Sequence, residues 1–336
     1  MKAIRIHEFG GPDVLRLDDV DVPEPGDGQV LLKVEVAGVA YGDVMKRRGA
    51  FGPELPLPTG LGIEVVGTIE RSGPRTEGLS PGTRVAAWVE HGYAEYAVAQ
   101  AEAVVALPET ISSRDAAALP VHGLTAYQTL HEAGSIRRDD TVLVHAAAGG
   151  VGTLAVQLAR LAGAKTVIGT ASRADKLDHA RALGADVVLD YTADGWVEGV
   201  LEATGGRGAD LVLESTGGDV VLRSLRCMAP FGRMVTYGAA GGTPDTFPSM
   251  SLMDRNLSII GYSLMGWMRH PKRTAQAIGQ LTDHLATGAL KVSVGAVLPL
   301  EAAAEAHRAI EERRTIGKTL LLPHEQPPTG RTPARP

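Results

Sequence analysis

The apolar positions of this chain change their period along its length. In the first 120 residues, MKAIRIHEF, VLRLDDVDV, QVLLKVEVAGV, EVVGTIERSG, TRVAAWV and AEYAVAQ alternate in the manner of half-buried strands. Pro23, Pro25, Pro53, Pro56, Pro58 and Pro81 punctuate them. This text predicts an antiparallel, barrel-like domain. From Thr141 the pattern becomes strand, helix, strand. TVLVHA reads as a buried strand, and VGTLAVQLARLAGA places Val151, Leu154, Ala155, Leu158, Leu161 and Ala162 on one helical face. KTVIGT is a second strand, and ADKLDHARALGA is a helix that stops at Gly184. DVVLDY, ADLVLE, GRMVTYG and NLSIIGY follow as short apolar strands. Six strands at this spacing predict an α/β domain with a doubly wound parallel sheet and right-handed crossovers. Downstream, TAQAIGQLTDHLATGALK is an amphipathic helix, and VGAVLPL, EAAAEAHRAIEERR and KTLLLP read strand, helix, strand, returning to the first domain. The expected boundaries are 1–122, 123–261 and 262–322, with a proline-rich polar tail, 323–336, that reads as disordered.

Between the first parallel strand and its helix stands HAAAGGVG. In frame, Ala147, Gly149 and Gly152 occupy the small-residue positions of G-x-G-x-x-G, with alanine replacing the first glycine. A small residue permits the tight turn, Gly149 lets the backbone approach a pyrophosphate, and Gly152 lets the helix pack on the strand. The helix N-terminus then offers free N–H groups and a positive dipole end to phosphates. With 41 glycines in the chain the cluster alone says little, but the strand before it and the long helix after it supply the motif's context. The competing reading is a structural turn. Roughly 20 residues past such a loop, NAD enzymes place an acid on the ribose 2′-hydroxyl. Here VIGTASRADK has no acid from Gly169 to Ser172, and Arg173 and Lys176 follow at once. A 2′-phosphate would be attracted by this pair, so the sequence predicts NADPH. Tyr191, at the end of the next strand, suits the adenosine side. The alternative makes Ser172 a helix cap, with Asp175 at the third helical position and Arg173 solvated.

Composition narrows the field. A chain of 336 residues can bury a large core and suits two domains. A net charge of −6 argues against non-specific nucleic-acid or anionic-membrane binding. No run approaches the roughly 18 apolar residues of a membrane span, and MKAIRIHEFGG lacks the features of a signal peptide. The expectation is a cytoplasmic protein. The single cysteine, Cys227, excludes intrachain disulfides and a zinc site of several thiolates. LRSLRCMAPF reads as an apolar helical stretch with a buried thiol.

HAAAGGVG, GLTAYQTL (Gly123 to Leu130), KTVIGTASRADK and RRTIGKTLLL together resemble the medium-chain dehydrogenase/reductase superfamily. Within it they are similar to the zinc-independent quinone oxidoreductase branch, the ζ-crystallin-like enzymes. IHEFGGPDVLRL and AGVAYGDVMKRRG also fit, so the resemblance runs from residue 1 to about 322. It implies a GroES-like β-barrel catalytic domain split in sequence, an inserted Rossmann domain, NADPH, and a homodimer paired through the last Rossmann strand near Asn256 to Tyr262. It implies Gly149, Gly150, Val151 and Gly152 at the pyrophosphate. It implies Ser172, Lys176 and Tyr191 around the adenosine 2′-phosphate, with Arg313 or Arg314 reaching the same group. Thr125 and the backbone around Tyr237 and Gly238 would lie near the nicotinamide.

Two departures from the branch stand out. Its usual G-x-N-x-x-D is GVAYGD here, with Ala40 in place of asparagine, and Met45 stands where some members have tyrosine. Tyr41 and Asp43 are the remaining polar groups of the segment. Asp43 reads as structural ahead of catalytic, and Tyr41 suits packing or the pocket equally. Zinc-dependent relatives need Cys, His and Glu or Cys ligands; GVAYGD lacks the cysteine, and Gly62–Ile63–Glu64 replaces their GHE. Without metal polarisation, an acceptor that delocalises charge itself, a quinone or an activated enone, fits better than a simple ketone. The leading expectation is an NADPH-dependent quinone reductase, with Tyr41 as candidate proton donor. An enoyl reductase acting on a free, CoA-linked or carrier-linked C=C is the alternative, with Lys46, Arg47 and Arg48 either a phosphopantetheine cleft or a solvated charge run. A third reading is an NADPH-binding sensing or structural protein with little turnover.

Overall fold

The computed structural model describes residues 1–52, 55–242 and 246–324. The chain forms two compact units. The first comprises Met1–Ala117, Ala296–Arg314 and the chain from Thr319; the second comprises Ala118–Gly295 and Thr315–Lys318.

Along the chain, the first unit begins with β1 (Lys2–Ile6), β2 (Leu15–Asp19), β3 (Gln29–Val39), α1 (Tyr41–Arg47), β4 (Thr59–Gly60), β5 (Glu64–Ser72), β6 (Arg84–Trp88), β7 (Tyr96–Gln100), β8 (Val104–Ala106) and the short α2 (Ser113–Ala116). β3 is the hub: β5 and β7 both pair with it antiparallel, and β6 and β8 extend the sheet from β5. Val30, Leu32 and Val34 of β3 are fully buried while Lys33 and Glu35 are exposed, which is the alternation that the sequence shows. These side chains join Ile4, Ile6, Val65, Ile69 and Val85 in one core. A smaller sheet, β2-β1-β4, completes the N-terminal part.

The second unit holds α3 (Leu124–Gln128), β9 (Thr141–Val144), α4 (Gly150–Leu161), β10 (Thr166–Ala171), α5 (Ala174–Ala182), β11 (Val187–Asp190), α6 (Trp196–Ala203), β12 (Ala209–Glu214), α7 (Asp219–Arg226), β13 (Met228–Thr236), β14 (Ser258–Gly261), α8 (Leu264–Met268) and α9 (Pro271–Ala286). Its six strands pair in parallel in the order β11-β10-β9-β12-β13-β14. The order reverses between β9 and β12, and the crevice beyond such a reversal is where doubly wound sheets bind ligands. Val142, Leu143 and Val144 are buried because β9 lies at the centre, with both faces covered.

The last elements are β15 (Val294–Pro299), α10 (Ala303–Glu311) and β16 (Lys318–Leu322). β16 pairs antiparallel with β3 and takes β15 on its other side, so the C-terminal segment completes the first unit's sheet. The architecture is an α/β fold with a GroES-like domain and a six-stranded parallel domain.

Three details differ from the sequence reading. The return to the first unit comes near residue 296, not 262, because α9 packs on α3 and buries Ala277, Ile278 and Leu281 there. Leu161 is 45% exposed at the last position of α4, where the helix ends beyond its buried face. Cys227 is buried, but it follows α7 and precedes β13, since the helix stops at Arg226. Burial pushes its thiol up to about 12. Apart from Pro323 and His324, the tail expected to be disordered lies outside the described residues.

Candidate functional site

The strand-to-helix turn after β9 is built by backbone geometry. Ala146 adopts a left-handed conformation at φ 49°, which turns the chain out of the strand. Ala147 N–H donates to Thr170 O at 2.9 Å and Gly149 N–H to Ala146 O at 2.8 Å, closing the loop. Gly149 is the N-cap of α4 with extended φ −81° and no side-chain cap, so the first turn's N–H groups are left for another acceptor. A methyl group at Gly149 would have only Ala146 O, at 3.2 Å, within 4 Å. A methyl at Gly152 would lie 2.2 Å from Ala146 O and 2.7 Å from Ala147 Cα, so glycine there is required by the packing of helix on strand. Val151 is half-buried on the first turn. The Gly149 cradle is the kind that a phosphate backbone approaches, and it fits a dinucleotide.

A second segment seats this loop. Gly317 N–H donates to Ala148 O at 2.8 Å, and Gly149 and Gly317 form a parallel bridge. Lys318, next along, is buried. His122, from the turn Leu119–Gly123, lies against Gly150: a methyl there would fall 2.4 Å from its Nδ1. Burial, reinforced by the Lys318 charge, holds the His122 imidazole neutral, well below its usual range.

At the tip of β10, Tyr191 N–H donates to Ala171 O at 3.2 Å, which brings the end of β11 beside Ser172, Arg173 and Lys176. The N-cap of α5 is Arg173, without a side-chain cap, so Ser172 does not cap the helix. Arg173 forms a two-point pair with Asp175, at 3.0 and 2.7 Å, on the surface. That pairing offsets its charge; Lys176, largely buried on the first turn of α5, is the second cation of this corner and also interacts with Asp175. Tyr191 is half-buried.

On the other side of the reversal, Tyr237 N–H donates to Glu214 O at 3.0 Å, and Glu214 accepts from the N–H groups of Thr216 and Gly217. Burial raises the Tyr237 hydroxyl to about 12, so it stays protonated, and it shares a hydrogen bond with Ser215. Gly238 is exposed beside it, and Thr125 is buried and hydrogen-bonded to Tyr262, which donates to Gln128 at 2.8 Å. Gln128, Tyr262, His122 and Lys318 escaped the sequence reading. His122 adjoins the quoted GLTAYQTL and Lys318 lies within RRTIGKTLLL, but position in sequence gave no sign of the glycine loop they flank.

The remaining predicted residues are in the first unit. Tyr41 is the first residue of α1 and is half-buried. Asp43 is fully buried and accepts from Ala40 N–H at 3.0 Å, Gly62 N–H at 2.9 Å and Tyr93 O–H at 3.0 Å, which is a structural role. Arg47 is also fully buried, bonded to Gly10 O, His307 and Glu311, and Arg48 pairs with Glu311. Lys46 bonds Glu90 O at 3.3 Å. Arg47 and Arg48 thus converge on Glu311, whereas Lys46 is held by the Glu90 carbonyl. Arg313 is exposed, with φ 56°, after α10, and Arg314 pairs with Glu312.

The alcohol dehydrogenase GroES-like domain model matches residues 26–109 and the zinc-binding dehydrogenase model residues 150–283. Zinc does not fit the residues present. Ala40 and Ile63 carry no ligand atoms, and among the described residues no three His, Cys, Asp or Glu side chains are grouped to hold a metal. The 2-haloacrylate reductase of Burkholderia sp. is 35% identical over 96% of this chain and 98% of its own. Quinone oxidoreductase 1 of Escherichia coli K12 is 33% identical over 95% and 99%. A mycobacterial protein solved in complex with NADPH superposes with a TM-score of 0.92 at 36% identity, over 96% of this chain and all of the other. The chain belongs to the medium-chain dehydrogenase/reductase superfamily, in its ζ-crystallin-like quinone oxidoreductase branch.

Proposed function

We propose that this protein is an NADPH-dependent reductase that delivers hydride to a quinone without a metal. The observation that carries the reading is an open glycine loop at the strand reversal, in a chain similar over its whole length to quinone oxidoreductases. NADPH, when bound, supplies the hydride. Gly149, Gly150, Val151 and Gly152 bind its diphosphate through the first turn of α4. Lys176, with Ser172, Arg173, Tyr191 and Arg313, serves the 2′-phosphate. Thr125, Tyr237 and Gly238 orient the nicotinamide. Tyr41 is the proton donor; in the Tyr41→Phe variant turnover should fall about tenfold or more while NADPH affinity stays unchanged, and unaltered turnover removes it from the mechanism.

The 2-haloacrylate reductase relative favours a second acceptor, an activated C=C. Both acceptors spread the incoming charge over a conjugated system, so the same hydride geometry serves either. The deciding experiment measures NADPH oxidation against a quinone panel and an enone panel, with NADH as control. Fast oxidation by quinones supports the reading, and preference for enones replaces it with the second. Tight NADPH binding without consumption would favour a sensing protein. The protein acts as a homodimer in the cytoplasm on this reading. β14 is the edge strand of its sheet, and Phe231, Met250 and Met253 are exposed. Light scattering that gave a monomer would remove the dimer.

A further inference from the structure

Gly150 is the first residue of the twelve-residue α4, and a side chain there would meet one residue above all. The three nearest atoms to a methyl at this position all belong to His122: Nδ1 at 2.4 Å, Cε1 at 2.5 Å and Cγ at 3.2 Å. The imidazole fills the space that any other residue at 150 would need. His122 is 9% exposed, and its Nδ1 is fully buried with no hydrogen-bond partner among the described residues. A buried unpartnered nitrogen is costly, and one directed at a helix N-terminus lies where that helix receives an anion. Across the loop, Gly317 holds Ala148 through its N–H and bridges Gly149. The loop is thus fixed at Ala148 and Gly149 by one segment and at Gly150 by the His122 ring. A charged ring here would oppose both Lys318 and the positive end of α4.

We infer that His122 is a positioning residue for the coenzyme: its ring is a wedge beneath Gly150 that fixes where the first N–H groups of α4 meet the diphosphate. The inference rests on the NADPH reading above. Hydrogen bonds weaken steeply when donors tilt or retreat, so a change in the wedge acts on affinity without touching the ligand. It also gives Gly150 a partner: glycine is required at 150 because histidine stands at 122.

The test is a double-mutant cycle with NADPH dissociation constants read by fluorescence and apo thermal unfolding read beside them. His122→Ala should weaken NADPH binding about tenfold, and Gly150→Ala about tenfold or more, through the clash. The double variant, in which the alanine at 150 has room, should bind NADPH at least about threefold more tightly than Gly150→Ala alone. A ring that only stabilises the fold would lower the unfolding temperature in each variant with no such recovery. On the wild-type protein, labelled histidine ring nitrogens add a direct readout. The His122 resonance, assigned by its loss in His122→Ala, should shift on NADPH saturation. Failure of the double variant to recover, or an unmoved His122 resonance, overturns the inference. Wild-type protein that does not bind NADPH overturns the coenzyme reading itself, whereas wild-type affinity in His122→Ala overturns only the role of His122.

Discussion

Gly149, Gly150 and Gly152 lie within four residues, and the last two exclude a side chain for different reasons. At 152 the obstacle is the backbone of Ala146 and Ala147 in the turn, at 150 it is the His122 ring, and at 149 a methyl would meet only Ala146 O, at 3.2 Å. The sequence motif names the packing role of Gly152 correctly in kind, because strand, loop and helix are local. The role of His122 was illegible, since its neighbourhood to Gly150 is created by the fold and not by any spacing. The same contrast holds at the 2′-phosphate corner. The absence of an acid from Gly169 to Ser172 is visible in sequence, whereas the surface pairing of Arg173 with Asp175 and the burial of Lys176 are not. The Lys176→Ala variant should therefore raise the KM for NADPH about tenfold, the loss of one charge-assisted contact, and leave that for NADH unchanged. Initial rates with both nucleotides check this, and equal effects on the two would remove Lys176 from the 2′-phosphate.

At the scale of elements, α1 is tied to the β5 approach through one carboxylate. Oδ2 of Asp43 accepts from Ala40 N–H and Tyr93 O–H, and Oδ1 accepts from Gly62 N–H, where the backbone is left-handed at φ 93°. This fixes the segment that carries Tyr41 against the segment that carries Ile63. An asparagine would have to turn its NH2 toward one of those buried donors in either orientation. Asp43→Asn is expected to destabilise the protein by about 2–3 kcal/mol, measured as a lower urea midpoint with an unchanged slope. A midpoint equal to wild type would show that these bonds are dispensable. The strands of both units were legible because their periods differ, two in the antiparallel sheet and continuous apolar runs in the parallel one. The partner of α9 was not: an amphipathic face announces that it will be covered but not by what, and the domain boundary drawn at 262 failed for that reason.

At the scale of the whole molecule, buried neutral histidines make the fold sensitive to acid, His145 and His307 beside His122. Burial holds His145, between Thr170 and Ser224, at about 3, and holds His307, between Tyr93 and Arg47, at about 3, with the Arg47 charge adding to the effect there. The unfolded chain protonates both near 6.5. Between these values the unfolded state binds more protons, so stability is full above the higher value and falls with decreasing pH, by about 1.4 kcal/mol per unit for each ring. Urea unfolding at pH 7 and pH 5 should show this loss, and His145→Gln and His307→Gln should each flatten it; an unchanged slope in both would place the acid sensitivity elsewhere. The chain also crosses between its units near its end. Thr315–Lys318 belongs with the glycine loop, while the residues from Thr319 complete the sheet on β3. A protein engineer who transplanted residues 118–295 as a cassette would leave behind the tetrapeptide against which that loop is seated. The glycine loop and its seat are therefore not inherited as one contiguous module, and a chimera that keeps them together must carry two separate stretches of sequence from the same parent.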